Sequence, residues 1–194
     1  MTERVDIANM ALSWLGEPEI TSLDDDLEQA RQIKINYGPA RDATLEAHEW
    51  SFAIKRWKPS PNVIAPEFGA TYAYDVPSDV LRVLTVHDED YFSVKHAKEQ
   101  IDWVLEENKI LCNEPVIYCR GLKRVTEEGR FSSLFVHALA AKLAALVALN
   151  LTASSDVQKT MIAMFAGMIQ EAKSRDGIQG KSPRVRHRRL SEVR

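Results

Sequence analysis

The sequence has few cysteines and none of the short motifs that mark common catalytic sites. Its two cysteines, Cys112 and Cys119, are too few for a disulfide framework and lack metal-site spacing. We expect both to be small hydrophobic residues in strands, in a protein that assembles with reduced thiols. The patterns HExxH, GxSxG, CxxC and GxGxxG do not occur, so the sequence gives no support to the enzyme classes that these patterns mark.

An apolar N-terminal leader is also missing. Thr2, Glu3 and Arg4 stand where the apolar part of a signal peptide would begin, so we predict none and expect assembly in the cytosol. Residues 131–151 are apolar and long enough to cross a membrane, which takes about 20 residues. Lys142 in the middle and alanine in place of bulky side chains favour a buried central helix, with His137 as a core or interface histidine.

Charge is distributed unevenly along an otherwise ordinary globular composition of 45% hydrophobic and 27% charged residues. The last fourteen residues carry six basic side chains against one glutamate, a net charge of +5, which leaves −8 on residues 1–180. We predict that this basic tail contacts a negatively charged partner, with a solvated terminus as the alternative. The candidate partner-binding residues are Lys181, Arg184, Arg186, Arg188, Arg189 and Arg194.

Apolar residues at spacings of three and four predict about four helices. The first covers residues 3–15 and ends at Gly16. The second is long, from an N-cap at Ser22 to residue 53, and is kinked or divided at Pro39. The third covers residues 131–151. The fourth begins with a capping box at Ser155, and Asp176-Gly177 is expected to stop it.

Between the helices the pattern changes to alternation. Residues 58–69 hold three prolines and a glycine, which predicts a linker, and short strands follow it. The fold class is therefore α+β, an α-helical bundle with an inserted small, mostly antiparallel β-sheet. We assign 1–57 and 122–180 to the helical domain, 58–121 to the β module and 181–194 to the tail. The predicted strands are 72–76, 81–86, 91–96, 101–105, 110–112 and 116–120, with a turn at 107–109.

The sequence contains no convincing catalytic or ligand-binding motif. His48 lies between two glutamates, but neighbours on a helix point apart, so we interpret it as a helix-end residue packed near Trp50. Residues 177–182 are too short between their glycines for a phosphate-binding loop. We therefore predict no catalytic, cofactor-binding or metal-binding residues. The carboxylate pairs that a glycoside hydrolase would need are Glu46 with Glu49 and Glu106 with Glu107.

The stretch NMALSWLGEPEITSLDDD at 9–26 is followed by a pattern of alanine, tyrosine, Arg-Asp, leucine, histidine and tryptophan that ends in Phe-Ala. In this order, these features closely resemble the tail tubular protein A family, the head-to-tail adaptors of short-tailed bacteriophages. The resemblance continues through YDVPSDVLRV at 74–83 and through residues 122–154. Most members have His-Pro-Trp where this chain has His48-Glu49-Trp50. The pattern A–x6–Y–x3–RD–x2–L–x2–H–x–W–x–FA is carried by Ala30, Tyr37, Arg41, Asp42, Leu45, His48, Trp50, Phe52 and Ala53.

The resemblance implies a structural virion protein and no enzyme. Family members form a dodecameric ring that docks on the portal, connects it to the tail nozzle and lets double-stranded DNA pass through its centre during ejection. The expected location is the virion, after assembly in the host cytoplasm, with no membrane partner and no cofactor. The alternative function is a phage-associated peptidoglycan hydrolase. Specific DNA binding by the tail is disfavoured, because its basic residues are not interleaved with aromatic ones.

Overall fold

The fold combines a helical bundle with two small antiparallel sheets, which confirms the α+β class. A computed structural model describes residues 3–89 and 100–179, and these contain four α-helices and six strands. The helices are α1 (Arg4–Leu15), α2 (Glu28–Glu46), α3 (Ser133–Thr152) and α4 (Ser155–Gln179). The strands are β1 (Ile54–Trp57), β2 (Tyr72–Asp75), β3 (Val80–His87), β4 (Trp103–Glu106), β5 (Lys109–Cys112) and β6 (Tyr118–Lys123).

Helix α3 lies at the centre of the bundle and packs against α1, α2 and α4. The hydroxyl of Ser132 caps its start by accepting a hydrogen bond from the N–H of Phe135. Eleven of its residues are buried, six of them alanines, so neighbouring helices approach closely. Its length and hydropathy would suffice to cross a membrane, but 61% of that apolar window is buried within the fold. The predicted central helix is thus confirmed, whereas His137 is exposed and is not a core histidine.

Helix α2 begins five residues later than the sequence predicts, because its N-cap is Leu27 and not Ser22. The carboxylate of Asp25 instead folds the preceding loop, because it accepts hydrogen bonds from the backbone N–H groups of Thr21 at 2.8 Å and Ser22 at 3.0 Å. These bonds lower the pKa of Asp25. Pro39 lies inside the helix, which ends at Glu46 rather than continuing to residue 53.

The first helix agrees with its predicted boundaries to within one residue, whereas the last helix differs at both ends. Gly16 does end α1, in the left-handed conformation with φ of 73°. Helix α4 takes its cap from Ser154, whose hydroxyl accepts from the N–H of Val157 at 3.4 Å. It then continues through Asp176 and Gly177 to Gln179, so the predicted stop is wrong. A glycine inside a helix costs only about 1 kcal/mol, which packing of the helix can offset.

The strands form two three-stranded sheets rather than one, in the orders β1–β6–β3 and β2–β5–β4. Strand β1 was not predicted, since its four residues include two cations and lie in the segment assigned to the helical domain. The predicted strand at 91–96 lies outside the described residues. A two-residue turn at Glu107 and Asn108, both with positive φ, joins β4 to β5 and fits the predicted turn.

The two sheets bury their inner faces in a shared second core. Cys112 and Cys119 lie there as buried free thiols, as expected, and burial raises the pKa of Cys119 to about 12. Strand β6 connects this core to the bundle, because its residue Leu122 belongs to the helical core. The second core consists of Tyr74, Val76, Val83, Val86, Ile110, Cys112, Ile117 and Cys119.

Candidate interaction surfaces

The apolar residues of the A–x6–Y–x3–RD pattern, on α2 and in the segment after it, pack inside the protein. Ala30, Leu45, Trp50 and Ala53 are fully or almost fully buried in the helical core. The indole N–H of Trp50 donates to the carbonyl oxygen of Thr44 at 3.0 Å, so the ring is buried without an unsatisfied donor. These positions therefore shape the fold.

Polar members of the pattern hold separate elements together. The guanidinium of Arg41, which is only 9% exposed, binds the carboxylate of Asp42 at 2.8 Å. The other oxygen of Asp42 accepts from Arg124 at 2.8 Å, just after β6. The Arg-Asp pair thus ties α2 to the exit of the sheets, which is a structural use of two charged side chains.

Tyr37 makes a second link of this kind. Its hydroxyl lies 3.3 Å from the carboxylate of Glu128, which also accepts from Arg4 at 2.8 Å. Arg4 in turn lies over the Tyr37 ring at 5.5 Å. Burial of the phenol is the main cause that raises the pKa of Tyr37 well above its usual value. The ring therefore stays neutral and joins α1, α2 and the loop before α3.

His48 packs against Trp50 with ring centroids 5.0 Å apart, as the sequence predicts. Its Nε2 lies 3.4 Å from the carboxylate of Asp176 on α4. Phe52 stacks on the same indole with ring centroids 6.0 Å apart, and Phe135 meets it edge-to-face at 5.1 Å. The histidine thus belongs to the joint between the end of α2 and α4.

The carboxylate pairs considered for hydrolysis lie in two different settings. Glu49 pairs with Arg120 at 2.9 Å, and Glu46 is exposed at the end of α2. Glu106 and Glu107 are exposed at the β4–β5 turn. Within residues 3–89 and 100–179, no group of three or more histidine, cysteine, aspartate or glutamate side chains could hold a metal ion.

A cleft of about 1030 Å³ opens between the proline-rich segment and the outer face of the β2–β5–β4 sheet. Asn62 fixes one side, since its N–H donates to the Ala73 carbonyl at 2.8 Å and its side-chain amide to Asp75 at 2.9 Å. The described lining combines apolar side chains with four carboxylates. The apolar members are Pro61, Val63, Ile64, Ala65, Pro66, Phe68, Ala73 and Leu111.

The proline-rich segment, which the sequence predicts to be a linker, displays large apolar side chains. Val63, Ile64 and Phe68, which we call the loop patch, are almost fully exposed. Three such side chains within six residues of a proline-rich stretch are the signal that could have identified them. Exposed apolar groups gathered in one place are typical of binding surfaces.

A second apolar surface, the bundle patch, lies on the helices and consists of Ile35, Leu146, Leu149 and Ile162. A hydrogen bond of 2.9 Å from Asn150 to Gln32 brings the end of α3 beside α2. On its other side, Lys142 of α3 lies over the Phe165 ring of α4 at 5.2 Å. Ile35, Leu146 and Ile162 each lie about one helical turn from a residue that makes one of these contacts, and therefore on the same face of its helix. The bundle patch thus follows the exposed stripe of α3 between α2 and α4.

The six basic residues proposed for partner binding lie outside the described residues, so their contacts stay a prediction. No family model matches the chain, and no curated protein is significantly similar to it.

Proposed function

We propose that this chain is a structural subunit of a bacteriophage head-to-tail adaptor, which assembles with copies of itself into a dodecameric ring in the virion. The ring docks on the portal, carries the tail nozzle and surrounds the path of the DNA. The sequence pattern of the tail tubular protein A family is the source of this proposal. The pattern residues lie in the core and its joints, which supports a shared fold and not a shared reaction.

The observation that carries the proposal is the presence of two different apolar surfaces on one chain. The loop patch lies beside the sheets, and the bundle patch lies on the helices. A contact between unlike surfaces of identical subunits is heterologous, and it repeats until the ring closes. One such contact per subunit would cover both patches on every copy, which a two-fold dimer built on either patch alone would not do.

Charge supports the channel. Residues 1–180 carry a net charge of −8, and a negative wall repels DNA phosphates so that a duplex can slide. The helical bundle and the paired sheets also give the subunit two surfaces of different shape, one for the portal and one for the nozzle. No cofactor and no membrane takes part in this function.

The test is the assembly state of purified protein, alone and with portal, by mass photometry and negative-stain microscopy. We expect rings, or a ring that forms on the portal. Phe68→Ser in the loop patch should abolish the ring and leave a folded monomer. Val116→Ser, an exposed apolar residue in neither patch, is the matched control and should assemble normally.

An assay of peptidoglycan hydrolysis distinguishes the adaptor from the alternative function, a phage-associated peptidoglycan hydrolase. A monomer that never binds portal and that clears peptidoglycan in a gel would contradict the adaptor proposal. Loss of that clearing in Glu106→Gln would then assign it to the carboxylates at the cleft.

A further inference from the structure

The cleft described above has a lining that predicts the chemistry of its occupant. More than half of its described lining residues are apolar, and four carboxylates lie among them: Glu67, Asp75, Glu106 and Glu107. Lys109 is the one cation among the lining residues that the structure describes. Within the described part of the chain, no lysine, arginine or histidine forms a salt bridge with these four carboxylates. A segment that fits must offer several cations with apolar side chains between them.

We propose that the basic tail, residues 181–194 of the same chain, binds in this cleft. The tail alternates cations with apolar residues, as in Arg184-Val185-Arg186 and Arg189-Leu190. It carries +5 overall, whereas the described lining of the cleft carries three more carboxylates than cations. Charge complementarity of this kind selects the segment that binds and fixes its position. Burial of the apolar side chains of the tail in the cleft removes them from water.

The chain is long enough for its own tail to reach. Asp176, close to the end of α4, contacts Ser51 at 2.7 Å. From Ser51 to Asn62, at the edge of the cleft, the chain runs eleven residues, which span at most about 40 Å even if fully extended. The fifteen residues after Gln179 extend to about 50 Å. Because the tail is tethered to the cleft, its effective concentration there is on the order of millimolar. The tail of a second molecule would compete with it only at a similar protein concentration.

Occupation by the tail would cover part of the loop patch, because Val63, Ile64 and Phe68 also line the cleft. The tail and a neighbouring subunit would then compete for the same apolar side chains. The inference itself holds whether or not the chain forms a ring, since it concerns one subunit.

Carbodiimide cross-linking of the full chain tests this directly. The variant Arg188→Lys places an amine in the middle of the tail, and the reagent joins an amine to a carboxylate that it touches. We expect mass spectrometry to find position 188 linked to Glu67, Asp75, Glu106 or Glu107. In a mixture of ¹⁴N and ¹⁵N chains, the linked peptides should carry one label only. Links to other carboxylates, no links, or mixed labels would each overturn the proposal.

Tryptic release of the tail gives a second measurement without cross-linking. The double substitution Glu106→Gln, Glu107→Gln should speed cleavage at Arg184–Arg189 by roughly threefold or more, because a less populated bound state exposes these bonds. The pair Glu46→Gln, Glu171→Gln removes the same charge from exposed positions outside the cleft and is the control. Equal cleavage rates in the wild type and both variants would contradict a tail held in the cleft.

Discussion

The carboxylate of Asp176 accepts hydrogen bonds from both the backbone N–H and the hydroxyl of Ser51, at 3.0 and 2.7 Å. The two residues are 125 positions apart in the sequence. The contact fixes the last turns of α4 against the segment that leads into β1. It also explains why the helix passes the predicted stop, since the end of α4 is held by tertiary contacts.

We expect Asp176→Asn to lower the free energy of unfolding by about 1–2 kcal/mol, because it weakens two hydrogen bonds to a carboxylate. Urea denaturation at neutral pH measures the change. Asp156→Asn on the same helix removes an exposed carboxylate that pairs with Lys159, and it should change stability by less than about 0.5 kcal/mol. Equal effects of the two substitutions would contradict the role given to Asp176.

Two leucines of α3 provide a matched test of the core. Leu143 is fully buried, whereas Leu146 is 36% exposed in the bundle patch. Truncation of a buried leucine costs about 2–5 kcal/mol. Leu143→Ala should therefore lower the melting temperature by several degrees or prevent soluble expression, and Leu146→Ala should cost much less. A similar melting temperature for both variants would mean that α3 is not the central helix.

Gly121 on β6 has no room for a side chain. A Cβ there would lie 2.9 Å from the carbonyl oxygen of Arg82 and 2.9 Å from the ring of Trp57. Gly121→Ala should therefore destabilise the protein by about 1–3 kcal/mol, because the backbone oxygen cannot move aside. Gly167→Ala, in open space on α4, should have the opposite sign and stabilise by roughly 0.5–1 kcal/mol. Chemical denaturation of the two variants side by side checks this contrast.

We expect the protein to lose stability in alkaline solution because Tyr74 is buried. Burial raises the pKa of its hydroxyl to about 12, whereas a tyrosine in the unfolded chain ionises near pH 10. The folded state therefore disfavours the phenolate, and stability falls as pH rises from about 10 to about 12. Tyr74→Phe should be less stable at pH 8, since it loses the hydrogen bond of 2.6 Å to the Glu114 carbonyl. Between pH 8 and pH 11, however, the free energy of unfolding should fall less in Tyr74→Phe than in the wild type. Urea midpoints at both pH values provide the comparison, and an equal loss in the wild type and the variant would contradict the role given to Tyr74.

Among the described residues, Phe68 should be the first site of chymotryptic cleavage. Its side chain is 86% exposed in a segment without helix or strand, whereas Trp50 and Phe135 are fully buried. Proteases cut exposed loops before packed helices. Brief digestion and mass spectrometry should therefore give a cut after residue 68 before any cut within α3. An early fragment ending at Phe135 would contradict the assignment of α3 to the core.

Sequence patterns identified the helices because each has a stripe of apolar residues at helical spacing. Ala30, Ile33, Tyr37 and Ala40 follow such a stripe, and all four are buried. The helix boundaries were less predictable. Asp25 was expected inside α2, yet its carboxylate binds the N–H groups of the loop before the helix. A short acidic side chain can cap a helix or fold a loop, and local sequence does not distinguish the two.

What the sequence determined is the α+β class, the central position of α3, the strands on either side of Glu107-Asn108 and the burial of both cysteines. Each follows from periodicity or turn preference, which act between near neighbours. Only the tertiary structure decided that the strands divide into two sheets, that β1 pairs with β6 and that a cleft opens beside Asn62. These features depend on contacts between residues far apart in the chain, such as Ile54 with Leu122. Many pairings of short strands are compatible with one sequence pattern, and packing of the whole molecule selects among them.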